Sequence, residues 1–242
     1  MRLLLALLLF LIFATPSQSA FHFTIGDADT VSLTDNAALT FPDGDWTLFC
    51  KLRLTSTSGW GSDGQVVDWG NGGSFRLRID QDLGVPGAVE LFISDGTDTI
   101  DVSSDPLQPY DLSTSWTTVL AERNGSNFNV EVNGSVVVTT AVGNVDAVDV
   151  AAPLHFGRAS GGANPIDADI AECVKFDRVL TAGEKAGINQ GTDISPGTCL
   201  NKTSMSWYVP MIRDYVERKV GIAVTNTGTT VVAHPRIIFC AD

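Results

Sequence analysis

Trp60 is the residue whose type and position most suggest ligand chemistry. It stands between Gly59 and Gly61 in the segment Thr55–Gln65, outside any alternating pattern. An indole exposed in such a loop could stack on the face of a sugar ring. Side chains of neighbouring loops could add hydrogen bonds, and the candidates are Asp63, Asn71, Arg158 and Asn164. Alternatively, Trp60 folds back as an apolar plug over the edge of the fold.

Three sequons offer sites of covalent modification. They begin at Asn124, Asn133 and Asn201, and they would accept N-glycans in a eukaryotic secretory route. Asn124 and Asn133 are each followed by glycine, so turn formation explains these two pairs equally well.

The histidines indicate neither a metal site nor a Ser/His/Asp site. His22, His155 and His234 are far apart in the sequence, and none has a metal-binding spacing such as His-Glu-x-x-His. Leu154 and Phe156 flank His155, which is typical of an ordinary strand residue. His234 precedes Pro235, as turn residues do.

Short runs in which apolar and polar residues alternate, separated by turn residues, must position these candidate site residues. In Trp46–Leu54, every second residue, beginning with Trp46, is apolar. This alternation predicts a strand with one buried face. Asn133-Gly134 between two β-branched runs predicts a hairpin. Further strands are predicted at 65–69, 74–80, 88–94, 99–102, 116–123, 127–132, 135–140, 154–157, 168–177 and 231–239.

One helical turn is predicted after Leu180, because Thr181 and Glu184 have the spacing of a capping box. The pattern as a whole is that of an all-β sandwich. The run Val231–Phe239 is too short to be stable alone. We expect it to close the same sandwich beside an N-terminal strand such as Phe21–Ile25 or Thr30–Leu33.

The first twenty residues predict a secretory signal peptide. Arg2 precedes the apolar run Leu3–Ala14, and small residues then lead to a cleavage site after Ser19 or Ala20. The run is too short for a membrane span, so we expect one secreted or cell-surface domain over residues 21–242. The net charge of −13 disfavours binding to nucleic acid or to anionic membranes.

Four cysteines in an exported chain predict disulfides. They are Cys50, Cys173, Cys199 and Cys240, and three pairings are possible. We favour Cys173–Cys199 with Cys50–Cys240, which would tie the last strand to the sandwich. The alternative is buried free thiols, to which Cys50 on an apolar face is suited.

Two pairs of stretches carry a family resemblance. Ser115–Gly125 with Phe128–Gly134, and Leu154–Arg158 with Ile170–Glu184, resemble the core of a laminin-G-like module of the concanavalin A-like lectin/glucanase superfamily. The resemblance covers Phe23–Gly191. It implies an antiparallel two-sheet jelly-roll sandwich, and it implies binding of glycans or proteins more often than catalysis.

The resemblance also includes glucanases. Laminarinase-type members carry two glutamates flanking an aspartate on one strand, and Asp167, Asp169 and Glu172 are similar in spacing, with a bulge-like extra residue. Retaining hydrolysis needs two carboxyl groups about 5 Å apart. Alternatively, the stretch begins an ordinary strand with one carboxylate in a salt bridge.

Many relatives of this superfamily hold calcium at the sandwich rim, and the ion takes 6–8 oxygen ligands. Candidate ligands are Asp68, Asp80, Asp167 and Asp169. The acidic loop with Asp95, Asp98 and Asp101 is a second candidate, although aspartate is also a common turn former.

The sequence therefore predicts a secreted module that recognises carbohydrate or an extracellular protein through rim loops, with no catalytic residue assigned. A structural subunit of a surface or virion assembly is the first alternative, and a β-glycanase is the second.

Overall fold

The computed structural model describes residues 19–24, 27, 29–55, 64–70, 73–80, 88–104, 115–190, 201–209 and 224–233. Within these residues the chain forms fifteen strands, one α-helix and a short 3-10 helix at Ala37–Leu39. The strands are β1 (Ser19–Phe23), β2 (Thr30–Leu33), β3 (Trp46–Leu54), β4 (Gly64–Trp69), β5 (Phe75–Asp80), β6 (Ala88–Ser94), β7 (Thr99–Ser103), β8 (Thr117–Asn124), β9 (Asn127–Val132), β10 (Ser135–Ala141), β11 (Leu154–Phe156), β12 (Ala168–Phe176), β13 (Met205–Val209), β14 (Val224–Thr227) and β15 (Thr230–Ala233). The helix is α1 (Ala182–Gln190).

The strands form two antiparallel sheets, which confirms the predicted all-β sandwich. Sheet A has the order β10-β9-β8-β3-β12-β1-β15, and β13 pairs with β12 beside β1. Sheet B has the order β14-β2-β11-β4-β5-β6-β7. In each sheet, an N-terminal strand pairs with a C-terminal strand that forms one edge: β1 with β15 in sheet A and β2 with β14 in sheet B.

The apolar side of β3 packs into the core between the sheets, as its alternation predicts. Trp46, Leu48, Cys50, Leu52 and Leu54 all belong to the main core cluster. The opposite side of β3 is also buried, because Phe49 packs in a second cluster beneath α1. That cluster consists of Phe49, Leu120, Val174, Phe176, Leu180, Ile188 and Met205.

The helix α1 begins with the predicted capping box and runs further than the single turn expected. The Thr181 Oγ1 accepts from the backbone N–H of Glu184, and the Glu184 carboxylate accepts from the N–H of Thr181 at 2.9 Å. The Arg178 guanidinium donates to both oxygens of Glu184, at 2.6 and 2.9 Å. The nine residues of α1 form about two and a half turns.

The predicted Asn-Gly hairpin joins β9 to β10. Asn133 has φ 50° and Gly134 has φ 80°, which is the left-handed geometry that a two-residue hairpin turn needs.

The C-terminal strands close the sandwich as predicted. The strand β15 pairs with β1, and β14 pairs with β2. Residues 234–239 of the predicted strand lie outside the described residues. Two strands were missed, β13 and β14. Ser19 and Ala20, the two residues after which signal-peptide cleavage is predicted, are the first residues of β1, and Phe21–Phe23 pair with β12.

The predicted pairing of the cysteines was wrong at Cys50 and Cys173. These two residues form a disulfide with each other, because they lie directly opposite in the register of β3 and β12, with their Cα atoms 4.2 Å apart. Because Cys50 and Cys173 are bonded to each other, neither can form the disulfide predicted for it. Cys199 and Cys240 lie outside the described residues.

We expect Glu184→Gln to destabilise the protein at neutral pH. Burial alone would raise the pKa of the Glu184 carboxyl, but hydrogen bonds from Arg178, Thr181 and Asn201 lower this pKa to about 2. The ionised carboxylate therefore stabilises the fold above about pH 4.5, and this contribution is lost as the pH falls toward 2. The free energy of unfolding should drop by about 1–3 kcal/mol at pH 7.

Urea unfolding of both proteins at pH 7 and at pH 2.5 measures this difference, which should shrink at the lower pH. The control is Asp35→Asn, because Asp35 is exposed. An equal loss of stability at both pH values would contradict a role for the Glu184 charge.

Candidate functional site

The described ends of several connections lie at one end of the sandwich. At the Gly64 end of β4, the backbone N–H of Gln65 donates to the carbonyl of Asn164 at 3.1 Å, and that of Thr55 donates to the carbonyl of Asp167 at 3.0 Å. The connection between β5 and β6 starts at the same end, since Gly64 pairs with Ile79. We call this the long-loop end, because the strands that border the connections 24–30, 55–64, 80–88 and 157–168 end or begin there.

The long-loop end brings together part of the predicted ligand site. Arg158 and Asn164 lie in the connection 157–168. Trp60, Asp63 and Asn71 lie outside the described residues. Gly64, which follows Asp63, is at the long-loop end, whereas Gly70, which precedes Asn71, is at the opposite end of β4. In the sequence, Asp63 thus precedes one end of β4 and Asn71 follows the other end.

Asp68 anchors the connection that carries Arg158. Asp68 is fully buried, and its Oδ2 accepts from the backbone N–H of Ser160 at 3.0 Å. The Arg158 side chain lies across Gly162, where an added Cβ would fall 2.0 Å from the guanidinium. Gly162 also has φ 82°, a backbone conformation that favours glycine.

His155 faces Asp68 across the pair of strands β11 and β4. Burial lowers the pKa of the His155 imidazole; the Asp68 charge opposes this and the Arg158 charge adds to it. A polar group composed of Asp68, His155 and Arg158 thus lies beside the long-loop end. The sequence analysis treated His155 as an ordinary strand residue and did not connect it with Asp68.

The outer face of sheet B continues this polar surface. Gln65, Arg78 and Glu90 lie side by side on β4, β5 and β6, and Arg78 forms an ion pair with Glu90. Arg76 lies opposite Asp68, and its guanidinium is 4.0 Å from the centre of the Phe92 ring. The alternation of Arg76 and Arg78 with apolar residues was the signal that could have located this face.

Gln65 is one of several buried polar residues on this face. It is 1% exposed, and its side-chain oxygen has no hydrogen-bond partner among the residues that the structure describes. A buried acceptor without a donor is uncommon, because losing hydration without replacing the hydrogen bond costs free energy.

The four predicted calcium ligands do not form one group. Asp167 accepts from the Thr55 hydroxyl at 2.6 Å, and Asp169 lies on the outer face of sheet A, away from Asp68. The side chain of Asp80 is outside the described part of the structure. Among the side chains that the structure describes, no three His, Cys, Asp or Glu residues form a cluster that could hold a metal.

The acidic loop is a turn at the end opposite the long-loop end. The Asp95 carboxylate accepts from the N–H groups of Asp146, Thr97 and Asp98, at 2.7 to 2.8 Å. These hydrogen bonds lower the pKa of Asp95. Asp95 therefore has the turn-forming role that the sequence analysis kept as the alternative to calcium binding.

The acidic stretch similar to that of laminarinases is engaged in ion pairs. Asp169 is 1% exposed, and it contacts Arg53 at 2.5 Å and His22 at 2.8 Å. The predicted bulge lies between Ile170 and Glu172. This salt-bridged Asp169 corresponds to the alternative interpretation, a strand beginning with one paired carboxylate.

Three of the four tryptophans that the structure describes are fully buried in the core: Trp46, Trp69 and Trp207. Trp116 is only partly buried, and its ring lies 5.1 Å from the Arg53 guanidinium. The sequon residues Asn124, Asn133 and Asn201 are all exposed, and their glycosylation stays a prediction.

We expect Glu90→Gln to flatten the dependence of stability on pH. Burial raises the pKa of the Glu90 carboxyl to about 7, although the hydrogen bond and charge of Arg78 lower it, and Asp101 adds to the rise. The folded protein thus holds a proton that the unfolded chain releases near pH 4.5. The contribution of protonated Glu90 to the free energy of unfolding is therefore lost as the pH rises from about 4.5 through 7.

Thermal and urea unfolding at pH 5 and pH 8 measure the effect. The wild type should lose on the order of 1–3 kcal/mol through this group between these pH values, and Glu90→Gln should lose less. Parallel pH curves for the two proteins would contradict the raised pKa. The exposed Asp35→Asn variant is again the control.

Comparison with known proteins identifies the fold. A laminin G-type family model, described as the concanavalin A-like lectin/glucanases superfamily, matches residues 25–184. No curated protein matches the sequence. Of the described helices, none is both long and apolar enough to cross a membrane.

Three solved structures illustrate the similarity. A Bacteroides ovatus protein provisionally described as carbohydrate binding superposes with a TM-score of 0.64 at 14% identity, over 93% of this chain and 62% of that one. A heptameric SAP-like pentraxin from Limulus polyphemus has a TM-score of 0.58 at 12% identity, over 90% and 95%. The receptor binding domain of botulinum neurotoxin D has a TM-score of 0.53 at 14% identity, over 73% and 45%.

This chain thus spans about six tenths of the Bacteroides protein and less than half of the neurotoxin chain. At these identities the likeness concerns the fold alone. The match of the family model extends over more than half of the sequence, and the chain therefore belongs to the concanavalin A-like lectin/glucanases superfamily.

Proposed function

We propose that this protein is a secreted, non-catalytic recognition module that binds carbohydrate or an extracellular protein at the long-loop end. The observation that carries the proposal is the polar group of Asp68, His155 and Arg158, in which Asp68 holds the backbone of the connection 157–168 through Ser160. Arg158 is partly exposed, so its guanidinium can donate to a hydroxyl or carbonyl of a ligand. Ligand sites typically combine such fixed polar groups with a concave surface.

The rigid sheets supply the scaffold for this site, and loops provide the specificity. Asp68 fixes the connection 157–168 through the N–H of Ser160, so Arg158 is held in place before a ligand arrives. Preorganisation of this kind lowers the entropy lost on binding. Trp60, whose segment ends at this same end, remains the proposed stacking residue.

The burial of Glu172 supports binding over hydrolysis. Retaining hydrolysis needs two carboxyl groups that act on the substrate, one as nucleophile and one as proton donor, whereas Glu172, one of the two flanking carboxyls, is only 2% exposed. The signal peptide that the sequence predicts over residues 1–20 and the Cys50–Cys173 disulfide support export. Calcium binding at the long-loop end, with Asp68, Asp80 and Asp167 as candidate ligands, is part of the proposal.

A glycan array with the mature protein tests this function, in the presence and absence of calcium. We expect Arg158→Ala and Trp60→Ala each to weaken binding of the recognised glycan by about tenfold or more, because each removes a direct contact. Trp116→Ala is the matched aromatic control, since Trp116 lies on the outer face of sheet A. Equal binding by all three variants would place recognition elsewhere.

Self-assembly is a second candidate function, favoured by the edge strand β10. This strand contains no charged residue and no proline, and Val136 on it is 56% exposed. Uncharged edges can pair with the edge of another molecule. The similar Limulus pentraxin is a heptamer.

Light scattering of the mature protein tests assembly. If β10 mediates it, the wild type forms particles larger than a monomer, and Val136→Lys dissociates them because the added charge cannot be buried in a sheet. Ala151→Lys, which adds the same charge at an exposed position outside β10, should leave the particles intact. A monomeric wild type would refute this function.

A further inference from the structure

We propose a second ligand site, separate from the long-loop end, that binds a neutral sugar in a cleft beside α1. The cleft has a volume of about 590 Å³, which falls within the usual range of small-molecule sites, about 300–1,000 Å³. It lies on the outer face of sheet A, between α1 and the strands β8 and β9. Its polar lining consists of Asn124, Glu131, Asn133, Lys185 and Asn189.

The wall formed by α1 is held at both ends. Arg178 and Glu184 fix the start of the helix, and the Lys51 ammonium donates to the backbone carbonyl of Ile188 near its end, at 3.4 Å. Two alanines, Ala182 and Ala186, face the cleft. Their small side chains leave the space that a longer residue would fill, so the cleft is a fixed feature of the fold.

The turn at Gly134 brings a second wall close to the helix. An added Cβ at Gly134 would lie 2.4 Å from the Nδ2 of Asn189, and φ there is positive. The positive φ favours glycine at this position. Asn133 of the hairpin and Asn189 of the helix therefore line the same cleft.

The amide side chains retain hydrogen-bonding capacity. Neither Asn124 nor Asn189 forms a side-chain hydrogen bond with another described residue, and Asn133 uses only its oxygen, which accepts from the backbone of Thr118 at 3.0 Å. A side-chain amide offers one acceptor and two donors. Such groups match the hydroxyls of a sugar, while the apolar surface of Val179 and Ala186 can contact its C–H groups.

The charge of the cleft selects against acidic sugars. The Lys185 ammonium lies 2.7 Å from Glu122 and 2.5 Å from Glu131. Burial disfavours the charged lysine, but the two carboxylates outweigh this effect and raise its pKa. One cation between two anions leaves a net negative site, in a protein of net charge −13. An anionic ligand is repelled and a neutral one is not.

N-glycosylation of two residues that line the cleft would obstruct it. Asn124 and Asn133 are both sequon residues, and a glycan on either would stand at the cleft. The proposed ligand therefore binds to protein whose Asn124 and Asn133 are unmodified. This requirement also dictates how the protein for the test is made.

The test uses mature protein produced in a bacterial periplasm, where the disulfide forms and N-glycans are absent. Glucose, galactose and N-acetylglucosamine are titrated separately, with glucuronate as the anionic probe, and the side-chain amide signals of asparagine are followed by NMR. We expect at least one neutral sugar to shift the signals of Asn124 and Asn189, and glucuronate to shift neither.

Two variants localise the binding. Asn189→Ala should weaken it about five- to tenfold, as expected for one or two lost hydrogen bonds, and Ala186→Trp should abolish it by filling the cleft. Asn144→Ala, an exposed asparagine elsewhere, should bind as the wild type does. The proposal is overturned if no neutral sugar shifts these signals, if both cleft variants bind normally, or if glucuronate binds best.

Sugar binding by the variant Arg158→Ala distinguishes a site at the long-loop end from a site in the cleft. A sugar that this variant loses, and that Asn189→Ala retains, counts against the cleft and for the long-loop end. The reverse pattern supports the cleft and leaves the long-loop end to be judged on the glycan array alone.

Discussion

The pairing of β3 with β12 is the constraint on which the rest of the structure depends. These two nine-residue strands lie in the middle of sheet A, and the Cys50–Cys173 disulfide joins them at directly opposed positions. One face of the pair supplies the core between the sheets, and the other supplies the floor beneath α1. A shift of one residue in this register would exchange the two faces, so the disulfide also protects the core against such a shift.

Two buried lysines, Lys51 on β3 and Lys175 on β12, lie on this central pair of strands, and each has a polar partner. Lys51 donates to the carbonyl of Ile188, at the C-terminal end of a helix, where a cation interacts favourably with the helix dipole. Lys175 donates to Ser206 at 3.2 Å and forms an ion pair with Asp177. Burial lowers the pKa of both lysines. These contacts favour one arrangement of α1 and β13, since an unpaired buried charge would be costly.

The two outer faces of the sandwich therefore differ in kind. On sheet A, α1 covers an apolar cluster and leaves a cleft lined by amides. On sheet B, no described helix covers the face, and the charged residues Asp68, Arg78 and Glu90 lie on the strands themselves. A nine-residue helix with two glycines is marginal alone. Its position, and with it the cleft, depends on the Arg178–Glu184 ion pair and on the second apolar cluster.

Local patterns in the sequence were sufficient for the class of fold and for many of its elements. The alternation of Trp46–Leu54, the Asn133-Gly134 turn and the Thr181–Glu184 capping box each involve residues within nine positions of one another, and their physics is local. The motifs shared with the superfamily are of the same kind. These elements could therefore be predicted before the sheets were known.

Tertiary structure alone decided which distant residues meet. Cys50 faces Cys173, His22 contacts Asp169, and Gly134 lies beside Asn189. Each of these contacts depends on strand order and register, which arise from packing of the whole core and leave no mark on a short segment. The sequence by itself therefore determined the β-sandwich, its family and a set of candidate ligand-binding residues. The disulfide, the grouping at the long-loop end and the cleft beside α1 were decided by the folded chain, because each joins residues that are distant in the sequence.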